Sequence, residues 1–241
     1  TVTEHKMAIK MALFGGIGAI HKNLNIDLQC KEVSKVKKHK VDILKDQKAC
    51  VDDDNNLRVV AAVGTGEDAI KRVEALMKVN VDAIAIDTSH GHSQNVIETV
   101  KHIKKQWDIE VIAGNIATQE GAEALIEAGA DAVYFGLKHF SARGKVGFAL
   151  DTLPEVVETL HARGVKAFVT FNTLVFEHEF ETAETAILAM AAAGVDAVIV
   201  QDLGIASLIH RIAPELVIHG STQMSITSAQ GAELAKSVGC R

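Results

Sequence analysis

The segment AGADAVYFG, residues 128–136, gives the clearest indication of the fold of this 241-residue chain. Small residues and a glycine end a helix, an aspartate follows, and a short apolar run is then typical of a buried strand. The segments AGVDAVIVQD, residues 193–202, and VNVDAIAID, residues 79–87, repeat this order. Their spacing is irregular, so they indicate a repeated strand–helix unit and not a solenoid.

On both sides of these segments, eight short apolar runs alternate with amphipathic stretches of helical period, which is the pattern of consecutive βα units. The predicted strands cover residues 17–21, 57–63, 83–87, 110–114, 132–136, 167–172, 197–202 and 217–221. The helices that follow them cover residues 26–38, 67–78, 93–106, 118–128, 153–162, 179–193, 204–212 and 227–238, and one additional helix, 5–14, precedes the first strand.

Eight such units predict a closed parallel (βα)8 TIM-type barrel with one extra N-terminal helix, forming a single domain over residues 1–241. An open doubly wound sheet is the alternative, although that fold usually shows one dominant phosphate-binding loop. Two polar stretches interrupt the alternation. Residues 39–56 predict an exposed excursion with a small hairpin, and residues 137–150 predict a loop at the face where barrels build their sites.

Composition limits the classes of partner. The chain has 25 Lys and Arg against 31 Asp and Glu, a net charge of -6, so no broad basic face is expected and nucleic acid is excluded as a general partner. No apolar run approaches the roughly 20 residues of a spanning helix, so we expect a soluble, cytoplasmic protein without a membrane partner. The three cysteines, Cys30, Cys50 and Cys240, are odd in number and far apart, which indicates reduced thiols.

The motif DTSHGHS, residues 87–93, is the strongest cluster of reactive side chains, and it lies at the end of the third predicted strand. A barrel places its ligand-binding groups at such strand ends. The simpler interpretation is a strand that turns into a helix, with Ser93 as the N-cap and Gly91 allowing the turn. His90 and His92 are two residues apart and no third ligand has metal-type spacing, so a zinc site is not predicted.

Other strand ends also carry polar residues, and two interpretations remain open for them. The motif GTGED, residues 64–68, could hold an anion on backbone amides, but its two carboxylates favour an ordinary helix start. The remaining polar groups could ring a pocket at the barrel mouth or simply satisfy turns and caps. They are Asn115, Asn172, Gln201, Asp202, His219, Ser221, Thr222 and Gln223.

The motifs VTEHKMAIKMALFGGIGAIHKN, LRVVAAVGTG, VDAIAIDTSHGHS and VIAGNIATQEGAEALIEAGADAV follow one another over about residues 1–133. In this order they closely resemble inosine-5′-monophosphate dehydrogenase. The resemblance implies that Asp87, Ser89 and Asn115 line the nicotinamide-nucleotide side of a site. It also implies a glycine-rich loop, GxGSICTT, that ends in a catalytic cysteine, but this chain reads YFGLKHFSARGKVGFAL there.

From about residue 131 to 241 the chain resembles a different family, the collagenase-like peptidases, whose relatives include RNA-hydroxylation proteins. The motifs that carry this resemblance are GADAVYFGLKHFSAR, ARGVKAFVTFNTLVFEHE, AGVDAVIVQDLGIASLIHRIAPEL and IHGSTQMSITSAQGAELAKSVG. The phrase EAGADAV, residues 127–133, belongs to both patterns. Together the resemblances predict a chimera of a dehydrogenase-like fragment, 1–130, and a peptidase-family-like fragment, 131–241, joined near residues 129–133.

A site assembled from several strand ends does not easily survive such a joining, although the fold can. We therefore expect an engineered chimeric barrel scaffold with no catalytic residue, no metal, no required cofactor and no catalytic activity. The alternative is a residual nucleotide- or phosphate-binding barrel: Asp87, Ser89 and Asn115 would keep part of the NAD site, and Lys138, Arg143 and Lys145 would hold an anion of a small phosphate-bearing ligand. A third hypothesis is an unrecognised enzyme that uses His90, His92 and His219. The sequence leaves the oligomeric state open.

Overall fold

The computed structural model describes residues 3–42 and 44–241. Its strands are β1 (Gly18–Ile20), β2 (Val59–Val63), β3 (Ala83–Ile86), β4 (Glu110–Ile116), β5 (Ala132–Gly136), β6 (Lys166–Phe171), β7 (Ala197–Val200) and β8 (Val217–Gly220). Its α-helices are α1 (His5–Leu13), α2 (Ile26–Lys37), α3 (Glu67–Met77), α4 (Gln94–Gln106), α5 (Gln119–Ala128), α6 (Leu153–His161), α7 (Phe180–Ala192), α8 (Leu203–Ile212) and α9 (Ala229–Ser237).

The strands form one sheet in chain order from β1 to β8, and every neighbouring pair is parallel. The intervening helices supply the crossovers that parallel strands require. The prediction of eight strands and of a helix before the first one is confirmed. Among the residues that the structure describes, β1 pairs only with β2 and β8 only with β7, so the fold is a curled α/β sheet whose expected closure is not made by strand pairing.

The strand register separates the two faces of the sheet, because residues paired across parallel strands point to the same side. One face packs against the helices and its side chains are buried, as shown by Ile84, Val133 and Val198, although Gly220 at the end of β8 is exposed. The other face lines the inside of the curl. We call this inner space the lumen, and its lining includes Ala62, Ala85, Tyr134, Phe168, Ile199 and His219.

A contact that we call the aspartate clamp joins neighbouring strands in three pairs, β2 with β3, β4 with β5 and β6 with β7. In each clamp, the aspartate that precedes a strand accepts the first or second backbone N–H of the strand before it. A basic side chain from the helix that precedes this earlier strand contacts the same carboxylate. The clamps are Asp82 with Val59 N (2.8 Å) and Lys37 (2.9 Å), Asp131 with Val111 N (2.7 Å) and Lys104 (2.8 Å), and Asp196 with Ala167 N (2.8 Å) and His161 (2.8 Å). The repeated aspartate seen in the sequence therefore ties neighbouring strands together at their amino ends.

Each of the two irregular stretches contains an isolated backbone bridge. Val51 and Leu57 form an antiparallel bridge, which agrees with a small hairpin in the excursion 39–56, although residue 43 lies outside the described residues. In the second stretch, Leu137 and Phe148 form a parallel bridge that brings the loop back beside β5. Within the described part of the chain, no helix is both long enough and apolar enough to cross a membrane.

Candidate functional site

A cavity of about 270 Å³ lies at the carboxyl ends of β3, β4 and β5, and we call it the mouth cavity. The DTSHGHS segment contributes Ser89, His90 and His92 to its wall, and the end of β4 contributes Asn115. Arg143, from the loop after β5, lies on the other side. A cavity therefore lies at the strand ends, where the sequence predicts a site.

Arg143 connects the two sides of the mouth cavity. Its Nη2 donates a hydrogen bond to Ser89 Oγ at 3.0 Å, across 54 positions of sequence. The loop that carries Arg143 is held firmly, because Phe140 stacks on Phe171 with ring centroids 4.6 Å apart and Ser141 Oγ lies 2.9 Å from Thr170 Oγ1. The guanidinium is thus presented to the cavity by an ordered loop.

Tyr134 positions the DTSHGHS segment from inside the lumen. Its hydroxyl lies 3.2 Å from both Ile86 O and Thr88 O, to which it can donate. Burial raises the pKa of Tyr134 to about 12, so the hydroxyl keeps its proton and acts as a donor. Sequence reasoning missed this residue, since nothing in the motif shows that a tyrosine on β5 reaches back to β3.

The three residues that the dehydrogenase resemblance groups together are divided between two cavities. Ser89 and Asn115 line the mouth cavity, whereas Asp87 lines a second cavity that lies between β1 and β8. There Lys22 Nζ donates to Asp87 O at 2.7 Å and lies 3.3 Å from Asp87 Oδ2. Lys22 was also missed in the sequence, where its only signal is its place just after the first strand.

The three basic residues predicted to bind an anion are separated in the same way. Only Arg143 lines the mouth cavity, and Lys145 is exposed on the next turn of the loop. Lys138 lines a different groove, beside His139 and Phe140. Of the three predicted cations, Arg143 alone lines the mouth cavity.

The three histidines of the third hypothesis do not lie together in one site. His90 and His92 line the mouth cavity, but His219 lies in the lumen, with its ring edge-on to Phe168 at 5.3 Å. Burial lowers the pKa of His219, which keeps the ring neutral. Over residues 3–42 and 44–241, no group of three His, Cys, Asp or Glu side chains is arranged to hold a metal ion.

Several polar residues at strand ends serve as caps and turn contacts. Asp202 Oδ1 accepts the N–H of Gly204 at 2.7 Å and of Ile205 at 3.1 Å, which caps α8. Asn172 Oδ1 accepts the N–H of Ala142 at 3.0 Å. Ser93 is the N-cap residue of α4, as predicted, but its side chain makes no capping hydrogen bond. For Asp202 and Asn172, the simpler of the two interpretations accounts for the side chain.

The three thiols lie away from the mouth cavity. Cys30 is in α2, Cys50 is in the excursion before β2, and Cys240 follows α9. Burial raises the pKa of all three thiols, and that of Cys240 rises to about 11. Since the thiolate is the nucleophilic form, none of these cysteines is prepared for nucleophilic chemistry.

A curled parallel sheet with a cavity at its strand ends defines the class of barrel-like α/β proteins that bind ligands at this face. The chain belongs to two families: residues 1–141 match the IMP dehydrogenase / GMP reductase domain, and residues 117–241 match peptidase family U32. Both resemblances read from the sequence are confirmed. The two matches share residues 117–141, and the predicted junction near 129–133 lies inside this shared segment.

Individual relatives agree with the first of these families. The chain is 41% identical over 172 residues to the inosine-5'-monophosphate dehydrogenase of Borreliella burgdorferi, which covers 57% of this chain and 43% of that protein. It is 40% identical over 164 residues to the enzyme of Cryptosporidium parvum, covering 57% and 40% of the two chains, and 56% identical over 100 residues to that of Aquifex aeolicus, covering 40% and 20%. The chain therefore spans less than half the length of these relatives.

Proposed function

We propose that this chain is an engineered chimeric barrel scaffold, joined near residues 129–133, that has no complete parental active site and no catalytic activity. The observation that carries the proposal is the content of the loop after β5. The dehydrogenase resemblance implies a catalytic cysteine there, but residues 137–150 contain none, and Arg143 occupies the wall of the mouth cavity instead. The three free thiols lie elsewhere and are held protonated, which also suits a reducing, cytoplasmic setting.

The test is a dehydrogenase assay with inosine monophosphate and NAD, in which NADH formation is followed by its absorbance at 340 nm. We expect no rate above that of a heat-denatured sample of the same protein. The matched variant is Asn115→Ala, which removes a mouth-cavity side chain that the resemblance assigns to the nucleotide side. A steady rate that Asn115→Ala abolishes would show that a working site survived the joining.

A second candidate function is binding of a small phosphate-bearing ligand in the mouth cavity. We propose it because a guanidinium and a hydroxyl, Arg143 and Ser89, come from opposite sides of the junction and meet at 3.0 Å on the cavity wall. A guanidinium presents planar N–H donors that match the oxygens of a phosphate, and Asn115 adds an amide within the same wall. A residual NAD- or nucleotide-binding function would use the same three side chains.

Isothermal titration calorimetry with inorganic phosphate, inosine monophosphate and NAD tests this second candidate. We expect saturable heat with at least one of them, and at least tenfold weaker binding for Arg143→Leu. Lys145→Leu is the matched control, because Lys145 has the same charge and lies in the same loop but is exposed away from the cavity. Equal affinities in the two variants would remove the mouth cavity as the binding site.

We also infer that the curled sheet behaves as one closed barrel unit over residues 1–241. Helices α1 and α9 pack together outside β8 and β1. The centroid of the Phe14 ring lies 4.4 Å from both Lys10 Nζ and Lys236 Nζ. Thermal unfolding followed by circular dichroism tests this inference. One cooperative transition is expected, whereas two transitions would mean that the fragments 1–130 and 131–241 unfold as separate domains.

A further inference from the structure

We propose that a groove beside α7 binds a free amino acid with a large apolar side chain. We call it the α7 groove. It lies between the loop after β5 and α7, and its volume is about 520 Å³. Its lining shares no residue with that of the mouth cavity, so the proposal does not depend on the functions proposed for that cavity.

The outer layer of helices leaves room for the α7 groove. From α1 to α6, each helix packs against the next one, but α6 and α7 do not pack closely. Residues from the segment 137–151, which leads from β5 to α6, form one wall of the groove, and Thr182, Thr185 and Ala186 of α7 form the other. Small-molecule sites usually have volumes of about 300–1,000 Å³, so the groove has room for one small ligand.

Most of the wall of the α7 groove is apolar. Leu137, Phe140 and Ala186 are buried, and Ala149 and Leu150 are partly exposed beside them. An apolar side chain that leaves water to contact this wall gains free energy in proportion to the apolar area that both surfaces bury. The wall therefore favours a ligand with a large apolar body.

Phe140 shows that this wall is in place before a ligand binds. Its φ of 62° is a left-handed conformation, which is rare for an aromatic residue and persists only where the surrounding structure fixes it. Here the ring of Phe140 stacks on Phe171 at 4.6 Å, and Ser141 Oγ lies 2.9 Å from Thr170 Oγ1. A wall that is already ordered loses little conformational entropy when a ligand binds.

Two opposite charges define the polar part of the ligand. Lys138 and Asp151 are exposed, both line the α7 groove, and neither forms an ion pair with any residue that the structure describes. A free amino acid carries a carboxylate and an ammonium group, which can contact Lys138 and Asp151 at the same time. A simple amine or a simple carboxylate can contact only one of them. Because exposed ion pairs contribute little each, the apolar wall supplies most of the affinity and the two charges select the ligand.

The test is isothermal titration calorimetry of the full chain with four ligands. L-Tryptophan has a large apolar ring and both charges, tryptamine lacks the carboxylate, indole-3-propionate lacks the ammonium group, and glycine lacks the apolar body. We expect saturable heat with tryptophan, roughly fivefold weaker binding of each ligand with one charge, and no saturable heat with glycine. The proposal is overturned if tryptophan gives no saturable heat, or if its affinity equals that of its two analogues.

Two charge variants assign the contacts. Lys138→Gln should weaken tryptophan binding roughly fivefold but leave tryptamine unchanged, because tryptamine has no carboxylate that could lose its partner. Asp151→Asn should weaken tryptophan binding by a similar factor but leave indole-3-propionate unchanged. Lys145→Gln is the matched control, because Lys145 is an exposed lysine of the same loop that does not line the α7 groove. If Lys138→Gln weakened tryptophan and tryptamine binding equally, the proposed pairing of charges would be wrong.

A further pair of variants locates the ligand within the molecule. Thr182→Trp places an indole in the α7 groove from an exposed position on α7 and should weaken tryptophan binding at least tenfold. Leu188→Trp adds the same ring at an exposed position of the same helix outside the lining, and it should leave binding unchanged. Thermal unfolding of both variants confirms that they are folded. Equal affinities of the two folded variants would place the ligand elsewhere and overturn the proposal.

Discussion

The lumen differs between its first three strands and its last four. Across β1–β3 the register places no aromatic side chain toward the lumen, where β5–β8 place aromatic rings beside small residues. The front set is Ala19, Val60, Ala62, Ala83 and Ala85, and the back set includes Ala132, Tyr134, Phe168, Ala197, Ile199 and His219. The helix-facing layer shows no such difference, because its side chains are buried in both regions. Each fragment therefore supplies its own helix-facing layer. The lumen, in contrast, is filled by both fragments together, and their lumen side chains differ in size.

The largest expected effect tests whether stability depends on the helix-facing layer. Phe135→Ala removes a fully buried ring that packs edge-on against Phe148 at 5.3 Å, and we expect a loss of about 3–5 kcal/mol in the free energy of unfolding. Phe168→Ala is the matched change on the lumen side, where the ring is only partly buried, and it should be milder. Urea denaturation measures both, and equal losses would contradict the distinction between the layers.

The junction itself gives the next effect. Val133→Ala, in β5 inside the segment shared by the two families, should destabilise the chain by about 1–3 kcal/mol because the side chain is fully buried. Val198→Ala is the same substitution in the same layer within β7, well inside the second fragment. Similar losses in chemical denaturation would show that the joined layer packs as tightly as a parental one. No loss at Val133 would exclude its buried register.

A pair of small-to-large substitutions sharpens the contrast between the two faces of the front strands. Ala61→Val adds volume to the filled helix-facing layer and should destabilise the chain by on the order of 1 kcal/mol or more. Ala85→Val adds the same volume to the lumen, where the side chain is partly exposed, and should be neutral or slightly stabilising. Thermal unfolding of the two variants separates these outcomes, and a reversed order would mean that the lumen is already filled.

The smallest effect concerns the pH dependence of stability. Burial lowers the pKa of His219 in the folded chain, so below its ordinary value of about 6.5 the unfolded chain binds more protons. Stability is therefore complete above about pH 6.5 and should fall by less than about 1 kcal/mol between pH 7 and 6. We expect His219→Leu to flatten this part of the pH profile in denaturation experiments. The exposed His178→Leu should leave it unchanged.

Local patterns were enough to predict the strand and helix order, and they failed where distant backbone segments meet. The strand at residues 132–136 coincides with β5 because its apolar run, preceding glycine and aspartate are all local signals. Closure between β8 and β1 depends on whether two edges come within hydrogen-bonding distance, which no local pattern encodes. For the same reason, the sequence grouped Asp87 with Ser89 and Asn115, while the fold turns Asp87 toward Lys22.

The pairing of Arg143 with Ser89 shows what strand-end position can and cannot predict. Both residues follow strands whose carboxyl ends share one face, so their general location was predictable. Their contact also requires the fold of the loop after β5, which is fixed by Phe140 on Phe171 and by Ser141 beside Thr170. The path of that loop also sends Lys138 to a different groove.

The aspartate clamp allows strand–helix units to be exchanged between barrels. Every contact of a clamp falls within two consecutive units. A crossover outside such a pair of units therefore preserves the hydrogen bond and the ion pair of the clamp. Asp131 lies in the segment that both families share, yet its carboxylate accepts Val111 N and contacts Lys104 from the front fragment. A recombination that keeps an aspartate at this position also keeps the contacts that join the two fragments. This offers a rule for choosing crossover positions in other barrels of this kind.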